Sequence, residues 1–505
     1  MIFANIAQLN TMDNIYMFML IAITVLATID IVVGVSNDAI NFLNSAIGSK
    51  AISMRMMMTV ASLGIFVGAV YSSGLMEVAR KGIFIPAMFS FNEIMYIFMA
   101  VMITDILLLD FFNTLGLPTS TTVSIVFNLL GAAVIMSLIK IGASDGQSFG
   151  DLVNYINTEK AIQIIIGIVM SVFIAFAVGA IVQWISRLVF TFQTEKKIKN
   201  FGAIFGAIAL TAITYFIFLK GLKGTPYYKD LKGSVEGNEL YIMAASFALW
   251  LIVSYVFQAI TKKTILLVVI AVGTFGLALA FSGNDLVNFI GVPMAAYHSY
   301  EAWAASGVEA TLFSMEVLDK KVPAEPLLLF ISGGIMVVTL LFSKKARSVV
   351  ETGISLSRQS ETHEKFEPNF LSRGIVKGAT QLSKYFNAII PISVQENIAN
   401  RFKTPEITLT KDQSIDAPAF DLIRASVNLM VAGILIAIAT TMKLPLSTTY
   451  VTFMVAMGAS FADKAWGRES AVYRVAGVLN VIGGWFGTAL GAFIASGIVV
   501  FLISM

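Results

Sequence analysis

Two short polar patterns occur twice in this chain, each time within very apolar sequence. Asn37-Asp38-Ala39-Ile40-Asn41-Phe42 returns as Asn284-Asp285-Leu286-Val287-Asn288-Phe289, and Leu117-Pro118-Thr119-Ser120-Thr121-Thr122 returns as Leu444-Pro445-Leu446-Ser447-Thr448-Thr449. Gly131-Ala132 and Gly458-Ala459 follow the two threonine pairs at the same distance. The chain is therefore an internal duplication. In apolar surroundings, the duplicated polar residues need protein, water or a ligand to satisfy them.

The composition around these motifs is that of a membrane protein. Of the 505 residues, 57% are hydrophobic and 13% are charged, and the mean hydropathy is +0.82, whereas soluble proteins carry about 25% charged residues. Counting apolar stretches of about 18 or more residues, together with shorter interrupted ones, predicts an all-α polytopic protein with about 10–12 transmembrane helices. Several of the shorter stretches, 36–48, 117–141, 286–303 and 445–462, are expected to be broken helices or re-entrant hairpins.

Other classes of protein are disfavoured by charge and by residue usage. A net charge of +3 is too small to indicate binding to nucleic acid. The absence of Cys excludes disulfides and thiol metal sites. No nucleophile–base pair or metal-ligand cluster stands out, so the chain is not predicted to be an enzyme. No cofactor is expected beyond a coupling ion.

The spacing of the motifs gives the organisation of the chain. They lie 80 residues apart in the first copy (37 to 117) and 160 apart in the second (284 to 444). The polar stretch 344–420 accounts for the surplus and is predicted to be an inserted soluble segment, on the cytoplasmic side because of its cationic bias. The predicted division is 1–190 (first repeat), 191–263 (linking helices), 264–343 and 421–505 (the two parts of the second repeat). An odd number of crossings between the copies would invert them, and the sequence leaves that number open.

The Pro-x-Ser-Thr-Thr segments predict the start of a helix. Proline cannot continue a preceding helix and is favoured in the first turn of a new one, and hydroxyl residues are good caps. Free backbone N–H groups and hydroxyls at such a terminus can bind an oxyanion without a lysine. The alternative is that these hydroxyls bond to their own helix or join neighbouring helices. The matched second copy favours a binding site.

The Asn-Asp-x-x-Asn segments predict a complementary set of ligands. A carboxylate within a bilayer costs at least about 2.5 kcal/mol, so Asp38 and Asp285 need a cation, a proton or donors nearby. Gly34 and Gly283 are expected to interrupt the helix just before each acid and to free carbonyl groups for Na⁺. The alternatives are polar contacts between helices, or loops exposed to solvent.

Three further acids are weaker candidates for ion coordination. Asp30 precedes the first signature, and Asp105 and Asp110 lie within an apolar stretch. For each of them, hydrogen bonding to a neighbouring helix or a position near the interface is the alternative.

The combined clusters hold two acids, many hydrogen-bond donors and no basic residue. Such a site can accept an anion if Na⁺ neutralises the aspartates, or if the anion brings its own protons. Phosphate has titratable P–OH groups near neutral pH, whereas sulfate is fully ionised. The sequence therefore favours phosphate.

With these residues in hand, the chain resembles the PiT family of inorganic phosphate transporters, which carry duplicated Gly-x-Asn-Asp-x-x-Asn and Pro-x-Ser-Thr-Thr signatures. The resemblance covers roughly 14–190 and 264–505 without the insertion. It implies an inverted repeat in the plasma (inner) membrane, symport of phosphate with Na⁺ or H⁺, and a site between the broken helices and the two hairpin tips. Val123 and Tyr450 stand where family members often carry His, so a histidine proton relay is absent at the tips.

The ligands that this resemblance implies are carried over by position. The phosphate ligands would be Asn37, Asp38, Asn41, Thr119, Ser120, Thr121, Thr122, Asn284, Asp285, Asn288, Ser447, Thr448 and Thr449. The cation ligands would be Asn37, Asp38, Asn284, Asp285, Ser120 and Ser447, with Na⁺ as the metal at these clusters.

The predicted function is secondary active symport of inorganic phosphate with a cation by alternating access, with Na⁺ favoured and H⁺ as the other candidate. One alternative is a transporter of another oxyanion such as sulfate. An alternative of another class is a passive anion channel or an anion-sensing membrane receptor. The expected partners are inorganic phosphate and the lipid bilayer, and a homodimer is also considered.

Overall fold

The computed structural model describes residues 2–71, 82–144, 146–192, 195–220, 233, 235–320, 325–359, 366–403, 417–442, 446–463 and 468–505. This part of the chain contains helices and two isolated β-bridges, with no β-strand. The main helices are α1 Ile2–Asp38, α2 Ile40–Ser49, α3 Met54–Tyr71, α4 Phe91–Leu115, α5 Thr121–Ala143, α6 Thr158–Phe190, α7 Glu195–Ile213, α8 Glu239–Thr261, α9 Leu266–Ser306, α10 Pro326–Phe342, α11 Lys344–Ser357, α12 Phe370–Ile389, α13 Ile392–Arg401, α14 Leu422–Thr441, α15 Thr448–Ala462 and α16 Arg468–Ser504.

The predicted all-α polytopic fold is confirmed. Among the described residues, 9 helices are long and apolar enough to cross a bilayer, or 10 if α10 and α11, which meet at a bend of 69°, form one span. The first count is one below the predicted 10–12 and the second is at its lower edge, because α3 and α15 are apolar helices shorter than the roughly 20 residues that a bilayer requires.

The two copies run in opposite directions. Tyr16, early in α1, contacts Trp303, late in α9, with ring centroids 5.2 Å apart. Phe42 in α2 contacts Phe281, earlier in α9, with centroids 5.3 Å apart. Contacts that advance along α1 and α2 thus retreat along α9, so these equivalent segments are antiparallel and the implied inversion is confirmed. Below, the end of the molecule near Tyr16 is called the Tyr16 end, and the opposite end, near Gly48, the Gly48 end.

Two helical hairpins enter from opposite ends and meet at their tips. The hairpin α4–α5 begins at the Tyr16 end, where the Phe91 amide donates to the Phe313 carbonyl at 2.9 Å. The hairpin α14–α15 begins at the Gly48 end, where the Ala419 amide donates to the Gly48 carbonyl at 2.7 Å. Each returning helix packs on a long helix of the other copy, α5 on α16 and α15 on α6.

The duplicated glycines permit this packing. A Cβ atom at Gly131 would collide with the carbonyl oxygen of Phe493, and a Cβ at Gly458 would collide with that of Phe176. The glycines are therefore required where the backbones of α5 and α16, and of α15 and α6, approach closely.

The predicted helix interruption at 286–303 is wrong. Helix α9 is continuous from Leu266 to Ser306, with Pro293 inside it. In the first copy the interruption is confined to Ala39, whose φ of −55° and ψ of −27° remain helical. The glycines do not loosen the backbone as predicted, since Gly34 lies within α1 against the Phe289 ring. Close contact between the copies, rather than a break, explains the glycine at this position.

The predicted helix start at Pro118 is three residues early. Helix α5 begins at Thr121 after Ser120, whose φ of −114° and ψ of 119° are extended. Helix α15 begins at the equivalent Thr448. Leu444 and Pro445 lie outside the described residues.

The first part of the predicted insertion, 344–357, was expected to be solvated, but it is partly buried. Helix α11 buries Val349, Val350 and Leu356 and packs on α1 and α2. Its apolar face therefore belongs to the helical body of the protein. Helices α12 and α13 are mostly exposed, and residues 360–365 and 404–416 lie outside the described part. The division of the chain into domains stays a prediction.

Candidate functional site

The two signature acids lie where the segment α1–α2 crosses α9. Asp38 and Asp285 are both fully buried and are close enough to interact electrostatically. Because the crossing is antiparallel, each acid is presented by an equivalent helix running in the opposite direction. The two hairpin tips reach the same place.

Each acid accepts hydrogen bonds from one threonine of each hairpin. Thr121 Oγ1 donates to Asp38 Oδ2 at 3.0 Å, and Thr449 Oγ1 donates to Asp38 Oδ1 at 2.8 Å. Thr122 Oγ1 donates to Asp285 Oδ1 at 3.2 Å. Thr448 Oγ1 donates to Asp285 Oδ2. Both copies therefore contribute to the binding of each carboxylate.

The signature asparagines complete a closed arrangement. Asn41 Nδ2 donates to Thr448 Oγ1 at 3.3 Å and to Thr449 Oγ1 at 3.1 Å. Asn288 Nδ2 donates to the equivalent Thr121 Oγ1 at 3.4 Å and Thr122 Oγ1 at 2.9 Å. These contacts obey the same pseudo-twofold relation as the acids. The eight side chains are called the central ring: Asp38, Asn41, Thr121, Thr122, Asp285, Asn288, Thr448 and Thr449.

Ser120 and Ser447, predicted as ligands, are the N-cap residues of α5 and α15. Ser120 Oγ accepts from the Val123 amide at 3.1 Å, and Ser447 Oγ accepts from the Tyr450 amide at 3.1 Å. These caps fix the first turns that carry the threonine pairs and direct the positive ends of two helix dipoles towards the ring. A serine oxygen that accepts still has a proton to donate, so direct contact of either serine with a ligand stays a prediction.

Asn37 and Thr119, also predicted as ligands, hold the first hairpin tip in place. Asn37 Nδ2 donates to Asn113 Oδ1 at 2.7 Å, and Asn37 Oδ1 accepts from the Thr119 amide at 2.8 Å. Thr119 Oγ1 and Thr488 Oγ1 lie 2.5 Å apart. In the second copy Asn284 Nδ2 donates to Asp285 Oδ1 at 3.1 Å.

A polar cleft that the sequence did not reveal adjoins the ring on the side of the Gly48 end. It is narrow, with room for about one water molecule, and is lined in part by Asn41, Asn44, Asn428 and Thr452. Thr452 Oγ1 donates to Asn41 Oδ1 at 3.1 Å. Neither polar atom of the buried Asn428 side chain has a hydrogen-bond partner among the described residues. Thr452 follows Thr448 by one helical turn, and this spacing is the signal that would have found it.

The three weaker acid candidates lie in different surroundings. Asp30 and Asp105 are buried in the first copy, on the Tyr16 side of the ring. Asp110 is about half exposed and forms an ion pair with Lys345 of α11 at 2.5 Å, in agreement with the alternative of bonding to a neighbouring helix.

A second buried acid site lies at the Gly48 end and is absent from the sequence predictions. Asp463 Oδ1 accepts from Arg187 Nε at 2.9 Å, and Asp463 Oδ2 accepts from Arg424 Nε at 2.7 Å. All three side chains are fully buried and are called the arginine cluster. Gln183 and Gln359 donate to the same carboxylate at 2.7 and 2.9 Å. Burial by itself would raise the pKa of Asp463, but the Arg424 and Arg187 guanidiniums lower it to about 2.

The ligand chemistry of the central ring suits a monovalent cation and an anion together. Among the described residues, no group of three or more His, Cys, Asp or Glu side chains could hold a metal ion. The ring itself offers two carboxylates, hydroxyls and amides. This set can neutralise a monovalent cation and donate hydrogen bonds to an oxyanion.

Known proteins resemble this chain in sequence and in fold. The family model described as the phosphate transporter family matches residues 34–359. A predicted phosphate permease of Pyrococcus horikoshii is 23% identical over 280 residues, which cover 54% of this chain and 65% of that relative. One of Pyrococcus furiosus is 23% identical over 293 residues, which cover 54% of this chain and 64% of that relative. The match thus spans less than two thirds of either relative's length.

A solved structure described as the sodium-dependent phosphate transporter has the same fold. It superposes with a TM-score of 0.62 at 18% identity and covers 96% of this chain and 99% of its own.

Proposed function

Because the chain belongs to the phosphate transporter family, we propose that it is a secondary active transporter that symports inorganic phosphate with a cation, Na⁺ rather than H⁺, by alternating access. The central ring is the observation that carries this proposal. In it, two fully buried acids receive hydrogen bonds only from hydroxyl and amide groups among the described residues.

The ring fits phosphate better than a fully ionised oxyanion. The first turns of α5 and α15 offer the anion backbone N–H groups that lack partners within the helix. The four threonine hydroxyls donate their single protons to Asp38 and Asp285 in this structure, and they can turn to the anion when a cation takes their place at the carboxylates. A P–OH group of phosphate can donate to a carboxylate of the ring, whereas sulfate has no proton to donate near neutral pH. The acids thus favour phosphate while they disfavour sulfate.

Na⁺ fits the ring as the coupling ion. The site contains no basic residue, so the negative charge of Asp38, Asp285 and the anion needs a mobile cation. Hydroxyl, amide and carboxylate oxygens are suitable ligands for it. The solved structure with the same fold is described as sodium-dependent, which supports the choice. Each net positive charge that moves inward gains about 2.3 kcal/mol per 100 mV of membrane potential.

The inverted repeat supports alternating access. Transporters of this kind bind substrate at the repeat interface and expose it by moving one part against the other. Here the two hairpins enter from opposite ends, and the polar cleft beside Asn41 approaches the ring from the Gly48 end. Lys50 and Arg55 follow Gly48 at that end, so we propose that it lies on the cytoplasmic side of the plasma (inner) membrane. We also propose that the protein forms a homodimer.

Uptake of radiolabelled phosphate into proteoliposomes tests the function. We expect accumulation above the equilibrium level when the Na⁺ gradient is directed inward, but not with K⁺ or a pH gradient alone. Arsenate should compete with phosphate, and sulfate should not. Downhill flux that needs no gradient would show a channel, equal competition by sulfate would show a general oxyanion carrier, and accumulation with a pH gradient alone would contradict Na⁺ coupling.

A further inference from the structure

A second pair of buried acids lies in the first copy alone. Asp30 in α1 and Asp105 in α4 are 0% and 1% exposed. Asp30 precedes Asp38 by eight residues, or about 12 Å along a helix. The spacings that relate Asp38 to Asp285 and Thr121 to Thr448 place Leu277 and Ala432 at the equivalent positions of the second copy. The acid pair is therefore a departure from the pseudo-twofold symmetry.

Asp105 has hydrogen-bond donors and Asp30 has none. Asp105 Oδ1 accepts from Ser124 Oγ and, at 2.9 Å, from Asn128 Nδ2. Neither carboxylate oxygen of Asp30 meets a donor in the described part of the chain, and the carboxyl that it faces is that of Asp105. The charge of Asp38 is also close enough to act on Asp30. Three acids thus act on one another, and none of the ion pairs between described residues includes Asp30 or Asp105.

Asn128 supplies a second unsatisfied group at the same place. It is fully buried, its Nδ2 also lies 3.3 Å from Ser124 Oγ, and its Oδ1 has no partner among the described residues. The two ends of an amide have nearly the same shape, and rotation about the last side-chain bond exchanges them. The cluster can therefore present amide, hydroxyl and carboxylate oxygens to one point.

We propose that Asp30, Asp105, Ser124 and Asn128 bind one Na⁺, in addition to any cation held by the central ring. A buried unpaired carboxylate is costly, and the cation supplies the charge that these acids lack. The few side-chain oxygens of this buried cluster suit a monovalent ion, because Ca²⁺ takes roughly 6–8 oxygen ligands and Mg²⁺ keeps several waters. This inference rests on the proposed coupling to a cation, and it adds a cation site that is separate from Asp38 and Asp285.

The position of this site gives it a defined effect on the ring. It lies on the Tyr16 side of Asp38, opposite the polar cleft beside Asn41. A cation there reduces the repulsion between Asp38 and the acids around it, so it favours the charged ring that the coupling ion and phosphate require. Because all of its proposed ligands are side chains of the protein, this site can bind Na⁺ without phosphate.

Binding of ²²Na⁺ to the purified protein in detergent, with phosphate absent, tests this proposal. Asp30→Asn and Asp105→Asn preserve shape and should each remove one Na⁺ per chain relative to the wild type. Ser124→Ala keeps both carboxylates and should weaken that Na⁺ by about tenfold without changing the number bound. Asp110→Asn is the matched control, since Asp110 lies in the same helix but is exposed, and it should bind as the wild type does.

Equal numbers of Na⁺ in the wild type and in both Asn variants would overturn the proposal. A second result would also overturn it. If the infrared spectrum shows a carbonyl band of a protonated carboxylic acid that is lost in both Asn variants but is unchanged by Na⁺, then Asp30 and Asp105 share a proton instead of binding Na⁺. If an Asn variant fails to fold, the affinity of Ser124→Ala decides. Since phosphate is absent from the assay, failure of phosphate transport would leave the Na⁺ result intact, and the two proposals fail separately.

Discussion

The arginine cluster and the central ring both bury aspartates completely, but they satisfy them in different ways. Asp463 receives hydrogen bonds from the guanidiniums of Arg187 and Arg424. Asp38 receives its hydrogen bonds from the hydroxyls of Thr121 and Thr449. Two partners of Asp463 carry permanent positive charge, whereas all the partners of Asp38 are neutral.

This difference separates a structural acid from the two acids that we propose to be functional. A guanidinium is always protonated and is tied to its helix, so Asp463 is neutralised in every state of the protein and fastens α6, α14 and the end of α15 together. Hydroxyl groups orient a carboxylate but leave its charge uncompensated. Asp38 and Asp285 can therefore respond to a cation that arrives and leaves.

The largest expected effect is on stability, when the arginine cluster is broken. Asp463→Asn leaves two buried guanidiniums without their counter-charge, and we expect the protein to lose about 3–5 kcal/mol of unfolding free energy. Denaturation in detergent measures it. Asp110→Asn, which removes an exposed partner of Lys345, should change the same quantity by about 0–1 kcal/mol. Equal losses in the two variants would remove the distinction between the clusters.

The second effect is on transport, when the ring loses charge. Asp38→Asn or Asp285→Asn should lower coupled phosphate uptake at least about 100-fold, because two hydrogen bonds to a charged group and the coupling cation are affected together. The unfolding free energy should stay within about 1 kcal/mol of the wild type, since the neutral partners can bond to an amide. Near-normal uptake by both variants would mean that these carboxylates are structural.

A smaller effect is expected at the two helix caps. Ser120→Ala or Ser447→Ala removes a cap worth about 1 kcal/mol and loosens the threonine pair that follows, so phosphate affinity should fall about fivefold. Na⁺ affinity should change less, because the carboxylates remain. Both affinities are measured in the same variant, so that the Na⁺ affinity serves as the control for the phosphate affinity. Equal changes in the two affinities would contradict a role for the hairpin tips in phosphate binding.

The smallest effect concerns pH. The folded pKa of Asp463, about 2, lies below its ordinary value of 3.8, so its contribution to stability is fully present above about pH 4 and is lost as the pH falls towards 2. The difference in unfolding free energy between the wild type and Asp463→Asn should therefore be constant from about pH 8 to pH 5 and shrink below about pH 4. A difference that varies near neutral pH would mean that other groups titrate with the cluster.

The duplication explains why the central ring could be predicted from the sequence. All eight of its residues lie in the two repeated motifs, and repetition distinguishes them from ordinary polar residues in helices. The roles of Ser120 and Asn37 were less predictable, because whether a side chain meets a ligand or its own backbone depends on the final position of the hairpin tip.

The arginine cluster gave no such signal. Its residues occur once and come from distant parts of the chain, so tertiary packing alone brings Arg187 to Asp463. The continuity of α9 was mispredicted for a related reason. Gly283 favours a break in isolation, but the packing of α9 against other helices maintains the helical path.

The close helix contacts at Gly131 and Gly458 bear on how the duplicated chain evolved. Each hairpin rests on a long helix encoded by the opposite half of the gene, so each hairpin and its supporting helix form a unit built partly from each half. Severing the chain between the halves would leave both with an uncovered glycine surface. A single ancestral half could have worked only as a pair of identical subunits, inserted in opposite orientations and clasping one another's hairpins.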